Sequence, residues 1–155
     1  MVRKEWGTIV KQIRAFYPKY DFMEREDSFD AWYELLEDLE YPATLQAVKN
    51  LAKENQYPPT IADIRHEYQR MLDIFNNRLR EVKHNYRNAM SGYPFFEYDD
   101  DTYNVFLNKI KKIPQAQWVN VSRKFASNTI AFVRDCELND KPIPNYKDYI
   151  NEQSF

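Results

Sequence analysis

Residues 60–89 read TIADIRHEYQRMLDIFNNRLREVKHNYRNA, a stretch without glycine or proline. Ile61, Ile64, Tyr68, Met71, Leu72, Phe75, Leu79, Val82 and Tyr86 recur in it at intervals of three and four, the period of an α-helix that buries one side. Thr60 followed by Asp63 has the form of a capping box, and Tyr57-Pro58-Pro59 ahead of it forces an extended approach. At about 1.5 Å per residue such a helix extends roughly 45 Å. A small bundle cannot cover that length, so the far half must pack on something else.

Upstream, Trp6, Ile9, Val10, Ile13 and Phe16 make one apolar stripe, and Pro18 predicts that a helix from about Arg3 stops near Tyr17. A second helix is predicted with Asp27 or Ser28 as its N-cap and with Phe29, Trp32, Leu35, Leu36 and Leu39 on its inner face. Pro42 suits the first turn of a third, whose stripe is Leu45, Val48, Leu51 and Ala52 and which runs out near Asn55.

Downstream, Ser91-Gly92-Tyr93-Pro94 is the clearest interruption and the expected domain boundary, with an N-terminal domain over 1–90 and a C-terminal one over 91–155. The second domain is expected to hold a helix with Tyr103, Phe106, Leu107 and Ile110, another with Trp118, Val121 and Phe125, and a third with Ile130, Val133 and Leu138. A last one should start at Asn145. The fold class is thus all-α: a small N-terminal bundle, a long connecting helix and a second small bundle. Trp32 precedes Thr60 by 28 residues and Trp118 precedes Asn145 by 27. An internal tandem repeat and a shared use of the same caps account for this echo equally well.

Composition supports helices over sheets, since 155 residues include only 2 glycines while 8 prolines stand between helix-forming stretches. With 24 acidic and 22 basic side chains the net charge is −2, and no global field selects nucleic acid or an anionic membrane. No apolar run approaches the roughly 18 residues that span a bilayer, so no membrane partner is expected. The lone Cys136 suits a reducing cytoplasm.

Chemistry is not indicated. Isolated glycines cannot build a P-loop or a dinucleotide fingerprint. His66 and His84 lie five turns apart on the long helix, too far for one metal ion. Cys136 has no histidine near it in sequence and reads as a structural thiol, and the acidic stretches Asp21 to Glu40 and Glu97 to Asp101 read as solvated faces or a partner-facing patch. No catalytic residue, cofactor or metal is expected, and the protein is expected not to be an enzyme. The directional charge lies on the long helix: Arg65, Arg70, Arg78, Arg80, Lys83 and Arg87 against Glu67, Asp73 and Glu81, an excess of three positive charges. Such a face can meet an acidic protein patch or phosphates, or simply be solvated.

The order of features in the first half carries a resemblance: Ile13, Phe16-Tyr17-Pro18, Trp32-Tyr33, Leu35-Leu36, Tyr41, Ala47-Val48, then Tyr57-Pro58-Pro59-Thr60-Ile61-Ala62-Asp63-Ile64. Over about Val2 to Arg70 the chain resembles the phage replicative helicase loader and inhibitor family. That resemblance implies a small helical N-terminal domain and action by protein–protein binding. It also implies a hexameric DnaB-type helicase as partner, a phage origin-binding initiator as a further one, and the cytoplasm of a bacterial host as location. Helicase contact is expected beyond Asp63, on Arg70, Met71, Leu72, Phe75, Arg78, Leu79, Arg80, Lys83 and Arg87. The chain departs from the family after Gly92, where hydrophobic stripes predict a folded domain in place of a loose tail. A helical DNA-binding regulator is the alternative, with nucleic acid as the less favoured partner.

Overall fold

The computed structural model describes residues 1–23, 25–94 and 96–155; Glu24, within the acidic stretch 21–40, lies outside the described residues. Among these the chain is all-α, with seven α-helices and one short 3-10 turn. It divides into two compact units, Met1–Ile74 and Phe75–Phe155. The division falls inside the long helix and not at Ser91–Pro94. A turn marks where the backbone changes direction, whereas a compact unit is set by which side chains share a core.

The first unit holds α1 (Arg3–Phe16), α2 (Glu26–Glu34), α3 (Tyr41–Glu54) and the beginning of α4 (Ile61–Met90). Its core gathers Trp6, Ile9, Val10, Ile13, Tyr17, Leu36, Leu39, Val48 and Ile64. Pro42 stands in the first turn of α3, as its fixed φ and missing N–H allow. The capping box at the start of α4 forms as its spacing predicts. The Thr60 N–H donates to Asp63 Oδ2 at 2.8 Å and the Asp63 N–H donates to Thr60 Oγ1 at 3.2 Å.

Two expectations for this unit need correction. The second helix begins at Glu26, ahead of Asp27 and Ser28, and its N-cap Arg25 makes no side-chain capping bond. It also ends at Glu34, and the following turns carry Leu36 and Leu39 into the core while Leu35 is left 53% exposed. Arg65 accounts for the early stop. Its Nε and Nη2 donate to the Leu35 carbonyl at 3.0 and 2.7 Å, and its Nη2 and Nη1 reach the Asp38 carboxylate at 2.6 and 3.2 Å. A guanidinium thus satisfies a terminal carbonyl that another helical turn would otherwise have used. On α1 the stripe closes on buried Tyr17, four residues after Ile13, and Phe16 points outward.

The second unit holds the remainder of α4, α5 (Asp100–Ile110), the 3-10 turn Gln115–Gln117, α6 (Trp118–Leu138) and α7 (Tyr146–Glu152). Aromatic rings fill its core: Tyr86, Tyr93, Tyr103, Phe106, Trp118, Phe125 and Tyr149 are all buried there. Asp99 caps α5, accepting from the Thr102 N–H at 2.7 Å and from the Tyr146 hydroxyl at 2.9 Å. Asn145 caps α7 by accepting from the Lys147 N–H at 2.9 Å.

The two helices expected between Pro114 and Leu138 are one. No glycine or proline interrupts α6. Its buried face is Trp118, Ser122, Phe125, Ala126, Thr129, Val133 and Cys136, whereas Ile130 and Leu138 are exposed. Small polar residues complete the stripe, Ser122 donating to the Val119 carbonyl at 2.9 Å and Thr129 sharing a bond of 3.2 Å with the Tyr149 hydroxyl. Hydroxyls satisfied in this way can be buried at little cost, so an apolar-only reading divides the helix wrongly. Trp32 and Trp118 consequently stand on unlike elements, the end of a nine-residue helix and the start of a 21-residue one.

Candidate partner-binding surface

The nine residues expected to meet a partner all lie on α4, and the fold divides them by task. In the first unit Arg70 is committed to Glu67, donating from Nε to Oε2 at 2.6 Å and from Nη2 to Oε1 at 2.7 Å. Glu67 is buried and accepts a further bond of 2.7 Å from Asn50 Nδ2, which joins α3 to α4. The Arg70 hydrogen bonds hold the Glu67 carboxyl below the usual carboxylate range against the opposing effect of burial. Met71 and Leu72 are half-buried, and the Asn50 amide also lies 3.6 Å from the Met71 sulfur.

A depressed folded-state pKa means that the Glu67 contribution is fully present above the ordinary carboxylate value, about 4, and is lost as pH falls through the folded value. Chemical denaturation of the first unit between neutral pH and acid is expected to show this loss. Glu67→Gln should flatten the acid limb. An unchanged pH profile in the variant would show that other carboxylates control it.

In the second unit Phe75 and Leu79 are half-buried against the unit's own core, with the Phe75 ring edge-on to Trp118 at 5.7 Å between centroids. The apolar stripe expected to dock a partner is therefore partly covered by the chain itself. Lys83 lies over the rings of Tyr98 and Tyr103 at 5.0 and 5.4 Å, and the Arg87 guanidinium over Tyr98 at 4.7 Å. These cations are held by ring quadrupoles, though their charge still faces outward. Arg78 is half-buried and Arg80 exposed; neither makes an ion pair among the described residues, and Arg80 hydrogen-bonds the Asn77 side chain. Of the nine, Arg78 and Arg80 keep the most usable charge.

A surface that periodicity missed lies in the first unit. Phe16, Tyr20 and Tyr57 are all exposed, and the rings of Tyr20 and Tyr57 meet edge-on at 5.8 Å. A cavity of about 280 Å³ opens beside them, lined by Phe16, Pro18, Lys19 and Gln56 among others. The available signal was Tyr17: once it completes the α1 stripe, Phe16 must face away. The Tyr17 hydroxyl donates to the Asn55 carbonyl at 3.3 Å, which ties the end of α1 to the end of α3 and places the aromatic group.

Exposed aromatics on a bundle that ends in the capped Pro58-Pro59-Thr60 helix start mark the first unit as a binding module. Residues 1–65 match the family model of the N-terminal domain of phage helicase loader and inhibitor proteins. This is the family that the sequence resembles, and its description names no catalytic activity. No curated protein and no solved structure matches the chain. The match stops near the start of α4, so the greater part of α4 and the whole second unit lie beyond it. Among the described residues no group of three His, Cys, Asp or Glu side chains could hold a metal ion. His66 and His84 are exposed and Cys136 is buried. No described helix is long and apolar enough to cross a membrane.

Proposed function

We propose that the protein binds a hexameric DnaB-type replicative helicase in the cytoplasm of a bacterial host and acts on it as a loader or inhibitor. The observation that carries the reading is the match of residues 1–65 to the N-terminal domain of the loader and inhibitor family. A phage origin-binding initiator is the proposed second partner. No chemistry is required of such a protein: a binder that prefers one ring conformation shifts the helicase toward it by its difference in affinity for the two. The contact is assigned to α4, where Arg78 and Arg80 supply charge and Met71 and Leu72 partly exposed apolar surface, with Lys83 and Arg87 adding to the positive field. Arg70, Phe75 and Leu79 support this surface from within.

The test is co-elution with the purified host helicase, together with its ATPase and unwinding rates with and without the protein. Charge reversal by Arg78→Glu with Arg80→Glu is expected to weaken the complex about tenfold or more while helical circular dichroism is unchanged. Full binding by the reversed variant would move the contact off α4, and no co-elution at micromolar concentration would remove the helicase reading itself. The DNA-binding alternative is separated by a gel shift, since affinity for phosphates must fall steeply with salt.

A further inference from the structure

The segment after α7 lies in a groove of the second unit. Lys109 of α5 holds it there, its ammonium donating to the carbonyls of Ile150, Asn151 and Gln153 at 2.8, 2.6 and 2.6 Å. The ring of Phe155 then enters edge-on between two core aromatics, 5.6 Å from Phe106 at 85° and 5.6 Å from Phe125 at 72°. It does not fill the space. A cavity of about 250 Å³ opens on its α6 side, lined by Val121, Lys124 and Phe125, and one of about 270 Å³ on its α5 side, lined by Lys109, Lys112 and Ile113. Phe155 itself remains 38% exposed.

Side-chain charge around the groove is one-sided. Lys109, Lys112 and Lys124 line the two cavities and no acidic side chain lines either. Burial, with the neighbouring Lys112 adding to it, holds the Lys109 ammonium below the usual lysine range. An apolar slot that already admits one phenyl ring, rimmed by lysines with no acidic side chain among them, is complementary to an aromatic side chain carried on an acidic segment. A stacked nucleobase fits less well, because the flanking rings receive Phe155 by its edge and offer no parallel face.

The geometry points to a peptide-binding site between α5 and α6 of the second unit, which takes an acidic segment bearing an aromatic residue and which Phe155 of the same chain occupies until displaced. The ring is an internal competitor, so apparent affinity for the incoming segment is reduced by the fraction of molecules in which the groove is filled. This site is independent of the helicase reading and lies outside the residues matched to the family.

The experiment is fluorescence anisotropy of the full chain with a fluorescein-labelled polyaspartate peptide ending in phenylalanine. Saturable binding is expected, tightened roughly tenfold by Phe155→Ala, which removes the competitor. Lys112→Glu with Lys124→Glu should weaken it at least about tenfold. Both lysines are exposed, so that variant stays folded and remains decisive even where Phe155→Ala loosens the tail. Alanine in place of the peptide's phenylalanine should abolish binding. Equal affinity of wild type and Phe155→Ala, indifference to the peptide's ring, or tighter binding of a single-stranded oligonucleotide would each overturn the proposal.

Discussion

Trp6→Ala is expected to unfold the first unit and leave the second intact. Trp6 has no exposed surface, its ring stacks on Trp32 at 6.2 Å and lies 6.2 Å from Phe29, and its Nε1–H donates to the Phe29 carbonyl at 3.2 Å. Truncation removes the packing volume around which α1 and α2 meet and leaves that carbonyl without its donor. Losses of about 3–5 kcal/mol are usual for such a change, and a whole domain has only roughly 5–15 kcal/mol to lose. Hydrogen exchange read by mass spectrometry should show protection lost over residues 3–54 and kept over residues 100–152. Protection retained in α1 and α3 would mean that the first core does not depend on the indole.

The second large effect is expected at Phe106, with the reverse pattern. Its ring is wholly buried and lies 4.8 Å from Phe125 and 5.2 Å from Tyr86, so it touches the aromatics of both α4 and α6. Phe106→Ala opens a cavity among rigid rings that cannot collapse into it, and the cost again falls at about 3–5 kcal/mol. Protection should disappear from α5, α6 and α7 and persist in α1 and α3. Simultaneous loss everywhere in either variant would contradict a division into two units at Ile74 and Phe75. The same pair of variants also separates the functional readings, since only an intact second unit can hold the acidic peptide.

Most of the fold was legible before any coordinates. The start of α4 followed from Thr60 and Asp63, whose reciprocal bonds depend only on neighbours in sequence, and its length followed from the absence of glycine and proline. The errors share one cause. Leu35, Ile130 and Phe16 were assigned inward by hydrophobicity, yet Arg65 ends α2 from thirty residues away, hydroxyls of Ser122 and Thr129 take part of the buried face of α6, and Tyr17 displaces Phe16. Each depends on how the chain packs and not on hydrophobicity alone.

The candidate surface was legible only in part. That α4 carries a positive excess is a property of its residues, and the family match agrees with the resemblance seen in Pro58 to Ile64. Which of those charges remain available could not be read in the same way. Arg70 is used by Glu67, Lys83 and Arg87 rest on Tyr98, and Phe75 and Leu79 are drawn into a core.

Sequence alone determined the helical class, the helix caps and the stretch of chain that carries the positive charge, because these rest on bonds and periodicities within a few residues. Tertiary structure alone decided where one unit gives way to the next, which cations are already paired, and that Phe155 fills a lysine-rimmed slot. Burial and ion pairing are settled by groups that meet only after the chain has folded, and no local pattern encodes which of them will meet.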